Sequence, residues 1–326
     1  KELEGSGYKI SGASDTEVVA VALHSWGVSA FEKFNGFFSI ALYDKSKKEL
    51  TLARDKHGQK PIYYSSTSKA IYFGSTENMI PEACRGKIRS ESYIDFITYG
   101  FVPAPFTMFE NMHLLEPATY MIFRTYESVI KGFNKIRYWR PEITDDITNI
   151  DDAHDALSFE LKHAVYDGLQ ADTNVACLYS GGVDSSLLFS YARDINKEIY
   201  TITADFGADD DAAERALPLI SAYKHDNYVI KRINSKDVSQ SLLDVGRICE
   251  SPFDDTSVIP CNMVFSAVKK EGYRVAITGD GADELFCGYQ SFSNLNRIKT
   301  ILDPRFDTAR RGIRSIFGYI PDKYKT

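Results

Sequence analysis

At 326 residues, with 44% hydrophobic and 25% charged side chains, the chain has ordinary globular composition and is long enough for about two domains with buried cores. A small disulfide-held module, a long disordered tract and a collagen-like repeat are excluded. Lys and Arg number 38 against 45 Asp and Glu, a net charge of −7, so there is no general attraction to nucleic acid or an anionic membrane, and an anionic ligand must be held locally.

Thr16–Trp26 places Val18, Val19, Ala22, Leu23 and Trp26 at helical spacing behind Asp15 as its cap. Phe37–Tyr43 then reads as a buried strand, Asp44–Glu49 as a polar turn and Leu50–Ala53 as a returning strand; Ile62–Tyr64 and Ala70–Phe73 repeat the hairpin, with Tyr63, Tyr64, Tyr72 and Phe73 expected in the core. His57 and His113 read as surface or packing residues. From Pro103 to Pro117 the chain loses periodicity, and Thr144–Asp152 is acidic and polar, which sets a domain boundary there: 1–141 before it and 150–326 after it. Beyond the boundary helix and strand alternate. A helix over Asp152–Leu169 carries Ala153, Leu157, Leu161, Ala164 and Val165 on one face. The strand Asn174–Tyr179, a helix over Ser185–Asp194 and the strands Glu198–Ala204 and Tyr228–Ile233 follow. A helix behind Ser235, another over Val258–Lys270 and the strand Arg274–Ile277 complete a pattern that predicts a doubly wound, mostly parallel sheet. Five scattered cysteines, Cys84, Cys177, Cys249, Cys261 and Cys287, with no CxxC pair, encode neither a disulfide framework nor a zinc site and are expected to be reduced, in the cytoplasm. Apolar stretches fall far short of the roughly 20 residues that span a bilayer. The opening at Lys1 rather than methionine leads to the expectation of a processed or excised piece.

Ser180-Gly181-Gly182-Val183-Asp184-Ser185-Ser186 lies between the apolar strand Val175–Tyr179 and a helical run. Strand, glycine loop and helix form a phosphate-binding arrangement: the glycines let the backbone turn its N–H groups toward an anion, the hydroxyls add donors and the helix amino end adds partial positive charge. Asp184 would repel phosphate unless a cation stood between them, which implies Mg²⁺. The lysine of the GxxxxGK[ST] loop is absent, so γ-phosphate transfer is disfavoured. An ordinary Ser/Gly turn capping a helix is the alternative, and the flanking strand and helix weigh against it. A second cluster, Thr278-Gly279-Asp280-Gly281-Ala282-Asp283-Glu284, follows the apolar strand Val275–Ile277. Ligands of open α/β sheets bind at the carboxyl edge, so Asp184 and Asp283 are expected to approach one Mg²⁺ from neighbouring strand ends. A solvated acidic turn is the competing reading of the second cluster taken alone.

The first loop resembles the PP-loop of ATP pyrophosphatases, and nearly the whole chain resembles the asparagine synthetase family, through SGGVDSS, Ser251–Pro260 and TGDGADELFCGY in the second half. Ser14-Asp15-Thr16-Glu17-Val18, Phe34–Ala41, Ala53–Tyr64, Tyr99–Pro103 and Arg137-Tyr138-Trp139 carry it in the first. The resemblance implies an incomplete antiparallel αββα class II glutaminase sandwich followed by an ATP-dependent synthetase. Matched residue by residue, Asp15 holds the amino group of glutamine, Leu178, Ser180, Asp184, Ala204, Thr278 and Gly279 contact ATP, Asp184 and Asp283 bind the metal, and Asp280 positions or deprotonates ammonia. Gly181, Gly182, Ser185 and Ser186 complete the expected ATP loop. The implied reaction is amidation of a carboxylate through an acyl-adenylate, aspartate to asparagine by default, with glutamine-derived ammonia in the intact protein. A sugar uronate, a ring-closing substrate and a non-catalytic nucleotide-binding relative are the alternatives; a tRNA-modifying enzyme is disfavoured by the charge. The expected partners are small molecules, a carboxylate with glutamine or ammonia, with a homodimer admitted and neither nucleic acid nor membrane.

The family's amino-terminal cysteine and Asn-Gly-Glu segment are absent, so glutamine hydrolysis by this chain as written is not expected, and the synthetase domain is expected to be truncated at its carboxyl end. Arg310-Arg311 and Lys323 match no motif and read as a solvated face. Cys287 stands for the family's usual glycine, Glu116-Pro117-Ala118 for its Pro-Pro-Gly and Ser75-Thr76 for its Ser-Glu.

Overall fold

The computed structural model describes residues 2–292 except 13, 127–128, 145 and 208–210. Arg310, Arg311 and Lys323 lie outside the described residues. The chain divides into two compact units: residues up to Ile147 together with Ser239–Asn262, and Thr148–Val238 together with Met263 onward. No helix among the described residues is long and apolar enough to cross a membrane.

The first unit contains the helices α1 (Glu2–Gly5), α2 (Asp15–Trp26) and α3 (Ala30–Lys33), then strands β1 (Ser39–Asp44), β2 (Glu49–Arg54), β3 (Tyr63–Ser66) and β4 (Ile71–Gly74). Helices α4 (Glu82–Arg85) and α5 (Ser90–Tyr99) and strands β5 (His113–Leu114), β6 (Thr119–Tyr126) and β7 (Val129–Arg137) follow. All pairings are antiparallel, in one sheet of order β1-β2-β6-β7 and a second of order β4-β3-β5. Both expected hairpins are present, with Ala41 opposite Leu52 and Tyr64 opposite Phe73.

Alternation along the strands sets the layers. Ala53 and Tyr120 pack with Ala22, Leu23, Ala30 and Phe31 of the helices. Leu52, Met121 and Phe123 face the other way and pack with Ile62, Tyr64 and Leu115 at the second sheet. The order is helix, sheet, sheet.

Several local expectations are corrected. The cap of α2 is Ser14, whose Oγ accepts the Thr16 N–H at 3.3 Å from extended backbone, while Asp15 is already the first helical residue. Val18 is exposed because the buried stripe of α2 centres on Ala22 and Leu23. Phe37 lies before β1 and is 65% exposed; β1 is an edge strand that alternates exposed and half-buried residues rather than a buried run. Phe73 is likewise exposed, because β4 is the edge of its sheet. His57 packs edge-on against Trp139 and His113 stacks on Tyr64.

The turn after β2 is built on two adjacent buried residues of opposite charge, each bonded to backbone groups. Asp55, 1% exposed, accepts the N–H groups of His57 at 3.2 Å and Gln59 at 3.0 Å on Oδ1 and that of Lys60 at 2.9 Å on Oδ2. Arg54 donates to the carbonyls of Lys60 at 3.1 Å, Leu115 at 2.5 Å and Gly58. Removing the carboxylate takes the acceptor from three N–H groups of one turn, so Asp55→Ala is expected to lower unfolding free energy by about 3 kcal/mol. Urea unfolding followed by fluorescence checks this; Asn, which keeps one acceptor oxygen, should lose roughly half as much.

The second unit carries α6 (Ile150–Gly168), β8 (Val175–Leu178), α7 (Val183–Ile195), β9 (Tyr200–Asp205), α8 (Ala212–Ala222) and β10 (Tyr228–Arg232). Further along the chain come α9 (Ser235–Ile248), of which Ser239 onward belongs to the first unit, α10 (Val258–Lys270), which enters the second unit at Met263, and β11 (Val275–Ile277) and α11 (Ala282–Phe286) of the second unit. Asn149 caps α6 by accepting the Asp151 N–H at 2.9 Å. The four strands are parallel, in the order β10-β9-β8-β11. One sheet face is covered where Cys177 and Tyr179 meet Phe189 of α7 and Ala216 and Ile220 of α8; on the other, Ala176 and Ile202 meet Val268 of α10. This is the doubly wound sheet expected. On α6, Val165 is buried but Leu157 and Ala164 are exposed, so the covered stripe is narrower than the apolar one.

Candidate active site

Strands β8 and β11 are direct neighbours in the second unit, with Val175 opposite Val275 and Cys177 opposite Ile277, so both glycine loops leave the same sheet edge side by side. The loops touch. A Cβ built on Gly279 would lie 3.4 Å from the Ser185 nitrogen and 3.5 Å from the Asp184 Cβ, ordinary van der Waals contact, so the two loops lie against each other there. Ala204 belongs to the strand on the other side of β8: Leu178 pairs with Ile202, and Ala204 stands two residues further along β9. The edge therefore gathers Leu178, Ser180, Gly181, Gly182, Asp184, Ser185, Ser186, Ala204, Thr278, Gly279, Asp280 and Asp283 onto consecutive strands and the segments that follow them. Asp15 is an exposed residue at the start of α2 in the first unit and is not part of this edge.

The two loop glycines do different things. Gly181 has φ +76, the left-handed region, and a Cβ there would sit 2.5 Å from the Arg215 Cβ and 2.7 Å from the Arg215 carbonyl carbon of α8. Gly182 has φ −73 and caps α7 by backbone alone, with no side-chain cap bond, which leaves the first-turn N–H groups of a 13-residue helix open to an anion. Ser185, buried, ties the loop together: its Oγ accepts the Ser180 N–H at 3.3 Å, lies 3.0 Å from the Ser180 Oγ and donates to the Gly182 carbonyl at 3.2 Å. Ser186 closes the first turn through its N–H to the Gly182 carbonyl at 2.9 Å.

Two anchors escape a reading of the sequence alone. Thr203, 1% exposed, donates its hydroxyl to the Tyr179 carbonyl at 2.6 Å and pins the start of the loop to β9. Arg215 and Ala216 of α8 form the wall against Gly181. A hydroxyl residue inside the apolar run of β9 was the available signal for the first; the second depends on tertiary packing and has none.

On the β11 side Thr278 donates its hydroxyl to Asp280 Oδ2 at 2.8 Å, and the short helix α11 follows Gly281, φ +95. Tyr289 donates to Glu284 Oε1 at 2.7 Å; this bond holds the Glu284 carboxyl below the usual carboxylate range and pushes the Tyr289 hydroxyl up to about 12, with the charges of Asp283 and Asp280 adding to the push. The field at this end is negative, as a cation site requires. Among the described residues no group of three His, Cys, Asp or Glu forms a complete metal cage. A pair of carboxylates finished by phosphate oxygens and water suits Mg²⁺, which keeps much of its own hydration, better than Ca²⁺ or Zn²⁺. Asp184 is exposed and Asp283 half-buried, and they supply oxygen donors of that kind.

The second unit carries a phosphate loop and an acidic loop on adjacent parallel strands and the first is an antiparallel sandwich, and the family matches give the class as a chain with an amidotransferase-type and a synthase-type portion. Residues 1–139 match the family model of a glutamine amidotransferase domain and residues 156–318 that of asparagine synthase. The chain belongs to the asparagine synthase family, whose members are carbon–nitrogen ligases. It is 27% identical to asparagine synthetase [glutamine-hydrolyzing] 1 of Bacillus subtilis over 98% of this chain and 49% of that protein. It is also 27% identical to amidase chry2 of Gibberella zeae, over 87% of this chain and 44% of that protein. The chain thus spans about half the length of these curated relatives. A solved glutamine-dependent NAD⁺ synthetase from Acinetobacter baumannii in complex with ADP aligns with 56% of this chain and 32% of its own, at 16% identity and a TM-score of 0.31, a likeness too slight to bear on fold or function.

Proposed function

We propose that the protein activates a carboxylate with ATP and amidates it, with aspartate to asparagine as the reaction and, in the intact protein, glutamine as the source of ammonia. The observation that carries this reading is the contact of Gly279 with Asp184 and Ser185, which joins a phosphate loop to an acidic loop at one sheet edge. In this reading the loop N–H groups and the amino end of α7 bind the phosphates, while Leu178, Ala204 and Thr278 contact the rest of the nucleotide. Asp184 and Asp283 would hold Mg²⁺, which when bound supplies positive charge to the triphosphate. An oxygen of the substrate carboxylate attacks the α-phosphorus of ATP and pyrophosphate leaves, its growing charge met by loop N–H groups fixed in advance by Ser185 and Thr203. Ammonia then attacks the acyl carbon and AMP departs. Asp280, exposed and already accepting from Thr278, takes the proton that ammonia must lose. Asp15 at the start of α2 is the residue assigned to the amino group of glutamine. None of the five cysteines forms a disulfide.

Incubation of the intact protein with ATP, Mg²⁺, an ammonium salt and aspartate should release pyrophosphate and form asparagine in equal amounts. Absence of pyrophosphate release with aspartate and with every other carboxylate tried removes the proposal. The similarity to a relative named an amidase favours a second reading, amidation of a different acid. Product mass after incubation with each acid separates the two.

A further inference from the structure

The chain turns at the end of α11, and within the second unit that turn closes on Asp283. The Asp283 carbonyl accepts the N–H of Cys287 and, at 2.9 Å, that of Gly288, while the next residue, Tyr289, reaches back to Glu284. Cys287 takes the left-handed conformation, φ +59, which favours glycine. The glycine stands one place later. Gly288 lies outside the left-handed region, so backbone handedness does not call for glycine there. What excludes a side chain is a neighbour: a Cβ built on Gly288 would overlap Asp283 Oδ1 and stand 2.9 Å from Asp283 Cγ and 3.2 Å from Asp283 Cα. The Asp283 carboxylate occupies the space that a side chain at 288 would need.

This differs from the contact at Gly181, where an added Cβ meets the backbone of α8. At Gly288 the atoms in the way are chiefly the end of one side chain, which can rotate to another rotamer, and the Asp283 Cα needs to give by only a few tenths of an ångström. A side chain at 288 therefore moves the carboxylate and leaves the fold. Mg²⁺ demands near-ideal octahedral placement of its oxygen donors, so a carboxylate turned into another rotamer is lost to it. We propose that Gly288 is a positioning residue for the ligase reaction: the bare backbone at 288 leaves the Asp283 carboxylate the place from which it holds Mg²⁺. This rests on the ligase reading, in which Asp283 is one of two carboxylates on the metal.

The test uses the intact protein with an ammonium salt as nitrogen source. Gly288→Ala is expected to lower kcat for pyrophosphate release roughly 100-fold, since small misplacements of reacting groups are costly. The Mg²⁺ concentration at half-maximal rate should rise about tenfold, with the thermal midpoint within a few degrees of wild type. A readout without turnover is Mn²⁺ titration by electron paramagnetic resonance in the presence of the non-cleavable analogue α,β-methylene ATP, where the variant's affinity should fall about tenfold. In an Asp283→Asn background, adding Gly288→Ala should change neither rate nor Mn²⁺ affinity by more than about twofold, because the glycine acts through that carboxylate. Cys287→Ala, which alters the preceding side chain of the same turn, should stay within about twofold of wild type on both measures. Wild-type rate and Mn²⁺ affinity in Gly288→Ala overturn the proposal. So does a loss that keeps its full size in the Asp283→Asn background or is shared by Cys287→Ala, since the turn as a whole is then responsible. An alanine variant that no longer folds shows that backbone gives way instead of the carboxylate, and overturns it too. A wild-type protein that releases no pyrophosphate with any carboxylate removes the ligase reading; the Mn²⁺ titration then decides alone whether Gly288 places a metal-binding carboxylate, and equal affinities remove that as well.

Discussion

Asp184→Asn should reduce pyrophosphate release by roughly 10³-fold while leaving the fold intact. The two halves of that expectation come from different parts of the structure. Asp184 is exposed on the first turn of α7, where a carboxylate gains only about 0.3–1 kcal/mol from the helix dipole. Asparagine gives up that small term and keeps the shape, so thermal unfolding should shift by only a few degrees. Activity depends on the charge. Asp184 and Asp283 are the two carboxylates proposed to hold Mg²⁺ against the triphosphate, and with no third ligand group among the described residues the loss of one leaves half of the protein's share of the site. Calorimetric titration with ATP supplies an independent readout: wild-type affinity should rise when Mg²⁺ is present, and the variant's should not. A variant that keeps more than about a tenth of the wild-type rate would place the cation elsewhere.

What could be read in advance divides by range. The strand–glycine–helix unit at 175–195 and the strand that leads into the acidic cluster at 275–284 are contiguous in sequence and appear where expected, whereas the short helix α11 after that cluster is not foreseen. That they touch follows from one further step, the adjacency of β8 and β11, which parallel α/β order makes natural. The misses have long-range causes. Val18, Leu157 and Phe73 are apolar at the right period yet exposed, because periodicity states which face can be buried and not which part of it a neighbour covers. The central strand β6 and its partner β7 follow a proline-bearing stretch, and β7 mixes Lys131, Gly132, Asn134 and Lys135 into its run, so the alternation is too weak to stand out although β6 supplies Tyr120, Met121 and Phe123 to both cores. The membership of Ser239–Asn262 in the first unit, and the burial of Glu77 that goes with it, depend on segments far apart in the chain. The replacement of Ser-Glu by Ser75-Thr76 draws the eye one residue short of the carboxylate that matters structurally.

Gly181→Ala and Gly182→Ala, adjacent and chemically identical substitutions, should behave quite differently. At Gly182 the backbone is in an ordinary region and the nearest atoms to a new Cβ are the Ser180 and Ser185 hydroxyl oxygens at 3.5 and 3.9 Å, so alanine fits and costs less than about 1 kcal/mol through the poorer cap. At Gly181 alanine enters the left-handed region, at about 1–2 kcal/mol, and its Cβ meets backbone as well as side chain: Arg215 carbonyl carbon at 2.7 Å and Ala216 nitrogen at 2.8 Å. Relief needs either α8 or the loop to move. Helix α8 resists, since Ala216 and Ile220 are buried against Cys177 and Phe189, and overpacking such a contact costs about 1–3 kcal/mol. The loop is held less firmly, by the hydroxyls of Ser185 and Thr203, so it is the part that yields, carrying its N–H groups off the phosphates. The expected result for Gly181→Ala is therefore a stability loss of about 3 kcal/mol in chemical denaturation together with a fall of roughly 100-fold in pyrophosphate release, measured where the variant is fully folded. Equal rates for the two alanine variants would mean that the turn at Gly181 does not aim the loop, and that phosphate is bound by α7 alone.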